Sequence, residues 1–218
     1  MGTYRISKTF SHRGTISAKA ADVCRMFGVS AESVGGGREG DVTHRCRVDI
    51  NAGDIVYITG PSGAGKTVLL RELEKSMPAS ERVNISEIEL PADKAVIDCI
   101  AGDFVQGLRM LSTAGLNDVF CVLNTPANLS DGQKYRFRLA MAIAAGKKFV
   151  FADEFCSSLD RVTAAVISYH LHKFAKRSKV TFILASSHED ILTDLSPDVL
   201  VVKELTGGTE VIHKKSKR

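Results

Sequence analysis

Little in this sequence points to a membrane or to an oxidising compartment. No apolar run approaches the roughly 20 residues that a spanning helix needs, and the start, Met1-Gly2-Thr3-Tyr4-Arg5-Ile6, has no apolar core of a secretory signal. Gly2 invites a myristoylation reading, but Ile6 stands where that motif wants Ser or Thr. These absences predict a cytoplasmic protein that reaches a membrane only through a partner. The five cysteines (Cys24, Cys46, Cys99, Cys121 and Cys156) are widely spaced, and no pair has zinc-ligand or thioredoxin spacing. They are read as buried reduced thiols. The six histidines form no ligand cluster, and His170 and His172, two apart, point to different faces of a helix. A metal site built from side chains alone is therefore not expected. Internal repeats and low-complexity linkers are absent too.

Charge is nearly balanced. The net +4, from 29 Lys+Arg against 25 Asp+Glu, falls short of the dense basic footprint of a dedicated nucleic-acid binder. The excess gathers at the ends, in Arg5, Lys8, Arg13 and Lys19 and in Lys214, Lys215, Lys217 and Arg218. Such tails can contact phosphate, although most are solvated. At 218 residues and 44% hydrophobic content the chain can bury a core as one domain, or one domain with a small lobe.

Along the chain, Ala18–Phe27 has helical spacing, Gly35-Gly36-Gly37-Arg38-Glu39-Gly40 reads as a loop, and Val42–Ile50 alternates as a strand. Ile55-Val56-Tyr57-Ile58-Thr59 is a short, β-branched apolar run, as expected of a buried central strand. It feeds Gly60-Pro61-Ser62-Gly63-Ala64-Gly65-Lys66-Thr67, after which a helix is predicted over Val68–Met77. Strand, glycine loop, helix is the context in which G-x-x-x-x-G-K-[ST] binds a nucleoside triphosphate. Backbone N–H groups and a helix N-terminus converge on the phosphates, and glycines let the chain wrap without Cβ clashes. Lys66 is the candidate for the β- and γ-phosphates, and the Thr67 hydroxyl for Mg²⁺.

Further on, Arg82–Leu90 reads as a strand, and residues 94–146 are mostly helical, with Phe104, Leu108 and Leu111 on one face. Then come strand Lys148–Ala152, helix Arg161–Lys176, strand Val180–Ala185, a short helix after His188 and strand Val199–Lys203. This alternation predicts an α/β fold with a mostly parallel sheet covered on both faces.

Leu129-Ser130-Asp131-Gly132-Gln133 is an LSxGQ segment, and 23 residues after Ser130 comes the acidic pair closing Phe149-Val150-Phe151-Ala152-Asp153-Glu154. Ser157-Ser158-Leu159-Asp160 follows at once, and Ser186-Ser187-His188 lies after the next strand. With the glycine loop, these five motifs in this order resemble the ATP-binding-cassette (ABC) ATPases over roughly residues 40–203. The resemblance implies a P-loop NTPase fold with a helical subdomain inserted between the two nucleotide motifs and a β portion at the N-terminus. It implies ATP and Mg²⁺ as ligands, with Asp153 holding Mg²⁺ and Glu154 polarising the attacking water. It also implies that His188 senses the γ-phosphate and that Ser158 and Asp160 form the partner-facing D-loop. In that family the signature of one subunit closes over the nucleotide of another, so Ser130, Asp131, Gly132 and Gln133 would act in trans. Arg136 matches the arginine often found three residues after the glutamine. Asp131 departs from the usual glycine, and a carboxylate beside a triphosphate repels it unless turned away. For the adenine-stacking aromatic, Phe27 in Arg25-Met26-Phe27-Gly28 is the candidate, with Tyr4 and Phe10 as alternatives and a core phenylalanine as the plain reading.

On this reading one domain fills 1–218. Residues 1–50 form the adenine-side lobe, 51–93 with 147–203 the nucleotide core, 94–146 the helical subdomain, and 204–218 a basic tail. Lys66 and Ser130 are only 64 residues apart, tighter than in transporter cassettes, and Gln106 reads as a solvated helix residue rather than a Q-loop glutamine. The acidic pair with Phe155-Cys156-Ser157-Ser158-Leu159-Asp160, and Ser130 through Arg136, is similar to soluble ABC-type ATPases that stand alone or join an acetyltransferase domain. No acetyltransferase-sized segment is present here. The expectation is a soluble, ATP-hydrolysing head-to-tail homodimer acting on an unidentified protein or nucleic-acid partner. A transporter subunit docked on a membrane permease is the disfavoured alternative.

Overall fold

The computed structural model describes residues 2–10, 17–26, 28, 42–205 and 208–214. Phe27, the glycine-rich segment, Arg13 and the basic residues Lys215, Lys217 and Arg218 lie outside them.

Two nine-residue strands, β1 (Gly2–Phe10) and β2 (Val42–Ile50), pair antiparallel from Gly2↔Ile50 to Phe10↔Val42, and α1 (Ala18–Met26) lies between them in sequence. The main sheet holds β3 (Ile55–Thr59), β4 (Arg82–Asn84), β5 (Phe149–Ala152), β6 (Thr181–Ala185), β7 (Val199–Lys203) and β8 (Thr209–His213). Its order is β4-β5-β6-β3-β7-β8, parallel except for the β7–β8 pair. The helices are α2 (Lys66–Lys75), α3 (Phe104–Thr113), α4 (Val119–Leu123), α5 (Asp131–Ala144), α6 (Arg161–Ser178) and α7 (Leu192–Leu195). This is the α/β architecture expected from the sequence, with the mostly parallel sheet flanked by helices.

The alternation of side chains along each strand divides the core in two. Ile55, Tyr57, Val150, Ala152, Phe182 and Leu184 join a cluster with Leu111, Phe137, Ile143, Ile167 and Leu171 from α3, α5 and α6. On the other face, Val56, Ile58, Phe151, Ile183 and Ala185 pack with Leu69, Leu70 and Leu73 of α2 and with Ile6, Cys46, Val48 and Ile50 of β1 and β2. Every residue of β3 is buried because both faces are covered. Each fully buried leucine or phenylalanine contributes roughly 1.5–3 kcal/mol of transfer free energy.

Four elements differ from expectation. The strand expected over Arg82–Leu90 ends at Asn84, where the Asn84 side chain accepts from Ser86 N–H and turns the chain into a short 3₁₀ helix over Ile85–Glu87. Phe104, Leu108 and Leu111 do not share a buried face: Leu111 is fully buried with Gly107, while Phe104 and Leu108 are 69% and 37% exposed. The buried ridge of α3 runs through 107, 111 and Ala114, one step around from the apolar side. Strand β1 pairs with β2 in the β portion expected at the N-terminus, although no strand was assigned to residues 2–10 themselves, and β8 forms where no strand was expected. In β1, Tyr4 and Ile6 face inward between outward Thr3, Arg5 and Ser7. Among the described residues, no helix is long and apolar enough to cross a membrane.

The first glycine of the loop after β3 is held tightly. Gly60 has φ +137°, and a Cβ there would lie 2.2 Å from the backbone oxygen of Lys203 on β7. At Gly63, φ +82°, an added Cβ would meet nothing within 4 Å. Gly60→Ala is therefore expected to cost roughly 2 kcal/mol or more of stability. Gly63→Ala carries only the backbone strain, about 1–2 kcal/mol. Urea denaturation of the two variants measures the difference, and equal midpoints would contradict the close approach.

Candidate functional site

Register sets the site. Tyr57 on β3 lies opposite Leu184 on β6, which lies opposite Ala152 on β5, and Ile58 lies opposite Ala185. Thr59 closes β3 level with Ser186, and Asp153 follows β5 within one residue of that level, on adjacent parallel strands about 4.8 Å apart. The glycine loop, the Ser186-Ser187-His188 loop and the acidic pair thus emerge together at the carboxyl edge of the sheet, where α/β sites form.

The glycine loop is built for an anion. Gly65 takes a left-handed conformation, φ 88°, as the N-cap of α2, and no side chain caps that helix. The first N–H groups of a helix have no partner within it, so those after Gly65 are free to face a ligand. Lys66, 7% exposed, donates through Nζ to the carbonyls of Gly60 at 2.8 Å and Pro61 at 3.1 Å. Among the described residues it pairs with no carboxylate, so its charge is available to a phosphate. Pro61, Ser62 and Ala64 fill the remaining turn of the loop, and Ala64 N–H closes onto Pro61 O.

A triphosphate with Mg²⁺ fits this donor set. Backbone N–H groups and a lysine suit phosphate oxygens, and the Thr67 hydroxyl and Asp153 carboxylate are the hard oxygen ligands that Mg²⁺ takes alongside phosphates. Among the described residues, no cluster of three or more His, Cys, Asp or Glu could hold a metal unaided. A magnesium ion here would therefore need the phosphates.

The acidic pair sits on a strained turn. Glu154 and Cys156 have φ 48° and 59°, a region non-glycine residues seldom occupy. Between them Phe155 is fully buried and donates its N–H to Ala185 O at 2.8 Å. Cys156 N–H donates to the Tyr135 hydroxyl of α5 at 3.0 Å. These anchors hold the strained backbone while leaving the Glu154 side chain exposed. Burial pushes the Cys156 thiol up to about 12, so it is a structural group and not a nucleophile.

The Ser186–His188 loop is fixed from beneath by a residue that was expected only to fill the core. Tyr57, fully buried, donates its hydroxyl to His188 O at 2.6 Å, and His188 N–H donates to Ser186 Oγ at 3.3 Å. Burial pushes the Tyr57 hydroxyl up to about 12. His188 itself is exposed, at the rim of a cavity of about 140 Å³ shared with Cys156, Leu159, Arg161 and Asp190. An aromatic hydroxyl between Val56 and Ile58 in a buried strand was the available signal for Tyr57. Nothing in the sequence paired Tyr135 with Cys156.

The LSxGQ segment forms a complete capping box. Ser130 Oγ accepts from Gln133 N–H at 3.3 Å, and Gln133 Oε1 accepts from Ser130 N–H at 2.9 Å. This spends a lone pair of the Ser130 hydroxyl and leaves its proton free to donate. Gly132 lies against the next candidate loop: a Cβ there would come 3.3 Å from Leu159 Cδ2 and 3.9 Å from Ser158 O. Arg136 holds the first turn through Gly132 O at 3.3 Å and Gly115 O at 2.8 Å. Asp131 is exposed. Asp160 caps α6 by accepting from Thr163 N–H at 2.9 Å, and its bonds with Thr163 hold its carboxyl below the usual range. Among the described residues, no hydrogen bond joins this segment to the glycine loop of the same chain. The structure therefore brings together 60–67, 153–154 and 186–188, and separately 130–133 with 158–160.

Comparisons with known proteins agree with this picture. A sequence profile described as ABC transporter matches residues 43–103. The chain is 30% identical over 180 residues to the aliphatic sulfonates import ATP-binding protein SsuB 1 of Paracoccus denitrificans, covering 75% of this chain and 74% of that one. It is 28% identical over 201 residues to the methionine import ATP-binding protein MetN of Vibrio vulnificus, covering 76% of this chain and 57% of its relative's length. Among solved structures, a dimeric ATP-binding cassette in a post-hydrolysis state bound to ADP and Pi superposes with TM-score 0.62 at 18% identity, covering 79% of this chain and 92% of that one. Part of an ABC transporter complex from Clostridium perfringens gives TM-score 0.61 at 18% identity, covering 82% of each chain. These two share the fold.

Tyr57→Phe tests the role of the buried hydroxyl. Losing its bond to His188 O is expected to cost about 1 kcal/mol of stability and to lower ATP turnover while leaving nucleotide affinity near wild type. Because folding raises the pKa of Tyr57 and of Cys156, their contribution is whole below about pH 9 and is lost as pH rises through about 12. The urea midpoint of the wild type should fall over that window, and less steeply in Tyr57→Phe. Turnover unchanged in the variant would remove Tyr57 from the site.

Proposed function

The chain belongs to the ATP-binding-cassette ATPase family, whose members bind ATP with Mg²⁺ and hydrolyse it, and from that premise we propose that it works as a head-to-tail dimer driving a partner protein. The observation that carries this reading is the separation of the site into two halves. The capping box at the start of α5 orients the Ser130 hydroxyl, and Gly132 of the same segment packs against Leu159 and Ser158, with no hydrogen bond among the described residues to its own glycine loop. A second copy related by a twofold axis supplies each half with its complement.

In this reading the N–H groups around Gly63 to Thr67 cradle the phosphates. Lys66 exchanges the carbonyls of Gly60 and Pro61 for β- and γ-phosphate oxygens. Thr67 and Asp153 hold Mg²⁺, which when bound neutralises phosphate charge. Glu154, projected by its strained turn, orients the attacking water, and His188 meets the γ-phosphate from the β6 side. Ser130 of the second copy donates to the same phosphate, and the N-terminus of α5 adds a favourable dipole. Asp131 at that N-terminus turns toward solvent. Catalysis is positioning and charge stabilisation throughout.

The relatives named above are import ATP-binding proteins, and this supports taking the partner to be the permease of an import system. A second reading has a partner outside the membrane, as in the stand-alone ABC-type ATPases that the motifs resemble. It is favoured by a specific observation: β4 ends in a 3₁₀ turn, and the sequence from Arg82 to Phe104 contains no glutamine to serve as a Q-loop.

Glu154→Gln should abolish most ATP turnover and, with Mg-ATP, convert the protein to a stable dimer on size exclusion. Adding Ser130→Ala should return it to monomer at the same nucleotide concentration. A Glu154→Gln protein that hydrolyses at the wild-type rate would refute the role of Glu154. A Glu154→Gln/Ser130→Ala dimer as stable as the single variant would refute the trans signature. Sedimentation of trapped Glu154→Gln with the membrane fraction of its own cells separates the two readings of the partner.

A further inference from the structure

A groove of about 490 Å³ lies between α3 and α6, with Val105, Leu108 and Phe174 in its floor and Arg109, Lys173 and Arg177 at its rim. It sits away from the nucleotide edge. Helix α6 starts beside the acidic turn and runs back along the sheet, so its residues 170–177 lie at the opposite end. There Phe174 meets Phe182 at the start of β6, and Lys176 Nζ reaches Gly53 O before β3. No step proposed above uses this groove.

Its chemistry is one-sided. The floor is apolar, with Val105 52% and Leu108 37% exposed. The rim carries three cations, Arg109, Lys173 and Arg177, with His170 beside them, and no carboxylate lines it. Among the described residues, none of the three cations makes an ion pair. Other cations on the same helix behave differently: Lys176 pairs with Asp198 at 2.5 Å and Arg161, at the far end, with Asp190 at 3.1 Å. Lys173 instead lies over the Tyr169 ring, 4.3 Å from its centroid. The apolar strip continues from the floor along both helices, through Phe104 on α3 and Val162, Val166 and Tyr169 on α6, all exposed.

We propose that this groove binds a protein partner through an acidic amphipathic helix. Charge complementarity selects the occupant. Three cations without counter-ions call for carboxylates, and the Val105–Leu108–Phe174 floor calls for aliphatic side chains at i, i+3 or i+4 and i+7 of the incoming helix. Nucleic acid would satisfy the cations, but its backbone offers nothing to an aliphatic floor. Tyr169, the exposed ring next to the groove on α6, is already covered by Lys173. This inference goes beyond the proposed ATPase cycle and does not depend on it.

The test is selection of a displayed helical peptide library against the full chain, followed by fluorescence anisotropy of the enriched peptides. It is run on wild type, on Arg109→Glu/Lys173→Glu/Arg177→Glu and on Leu108→Gln. The expected result is a consensus with spaced aliphatic residues and an excess of Asp and Glu. Its affinity should fall about 10-fold or more on charge reversal and again on adding salt, and severalfold in Leu108→Gln, while basal ATPase of all variants stays at the wild-type level. Peptides without acidic excess, or bound equally by the charge-reversal variant, would overturn the proposal. So would binding of a 20-nucleotide single strand that is lost on charge reversal while no peptide binds, which would make the groove a nucleic-acid surface.

Discussion

The close approach of Gly60 to the Lys203 carbonyl is the constraint on which the nucleotide edge depends. A strand that ends in a phosphate loop must turn its N–H groups inward within a few residues, and the loop must be braced while doing so. Here the brace is β7: the backbones meet where a single added carbon would sit 2.2 Å from an oxygen. Lys203, buried at that contact, anchors its own ammonium group to Gly208 O and Thr209 Oγ1 across the turn into β8. The antiparallel end of the sheet thereby supports the loop at its centre. With the loop fixed, the register of β3, β6 and β5 places the other two loops without further devices.

Much of this was legible in the residues. Strands β3, β5, β6 and β7 are dense in β-branched and aromatic side chains and lie next to motifs whose spacing is itself informative. Helix α6 begins at an Asp-capped turn and ends at Lys179, whose φ of 63° stops it. The parts that stayed hidden depend on tertiary partners. The alternation in β1 rests on Tyr4 and Ile6 alone, against Thr3, Arg5 and Ser7, and the segment becomes a strand only because β2, 40 residues on, supplies its hydrogen bonds. β8 is a half-exposed edge whose pairing is set by β7. The apolar side of α3 looked like a core face, yet the helix turns Gly107 and Leu111 inward and leaves Phe104 and Leu108 outside. Sequence periodicity shows that a helix has an apolar side, not which partner covers it.

The signature segment shows how a motif can be fully explained locally and still serve a second purpose. Ser130 and Gln133 satisfy one another's backbone groups, which is sufficient reason for these residues at a helix start. The same bonds orient the Ser130 hydroxyl and leave its proton unspent. Gly132 is small because Leu159 and Ser158 press against it. Local stability thus produces a rigid, donor-bearing surface next to the acidic turn, which Tyr135 couples to the same helix through Cys156 N–H. The candidate residues on 130–133 and 158–160 are held as one unit.

In the proposed dimer the nucleotide edge is consumed by the second copy, so any other partner has to be met elsewhere on the surface. Helix α6 is the element that reaches from one place to the other. Its N-cap is Asp160, and its 18 residues span about 27 Å to the cationic groove around Lys173 and Arg177. Between those ends Ala164, Ile167, Leu171, Phe174 and Ala175 are packed into the core, so the helix cannot bend without opening it. A shift of the Asp160 end as two copies close would be carried along the helix as a rigid displacement and would change the gap to α3, which packs beside it. An acidic helix seated there would then feel nucleotide state through packing alone. By reciprocity, its binding would alter the affinity of the two copies for ATP by the same factor.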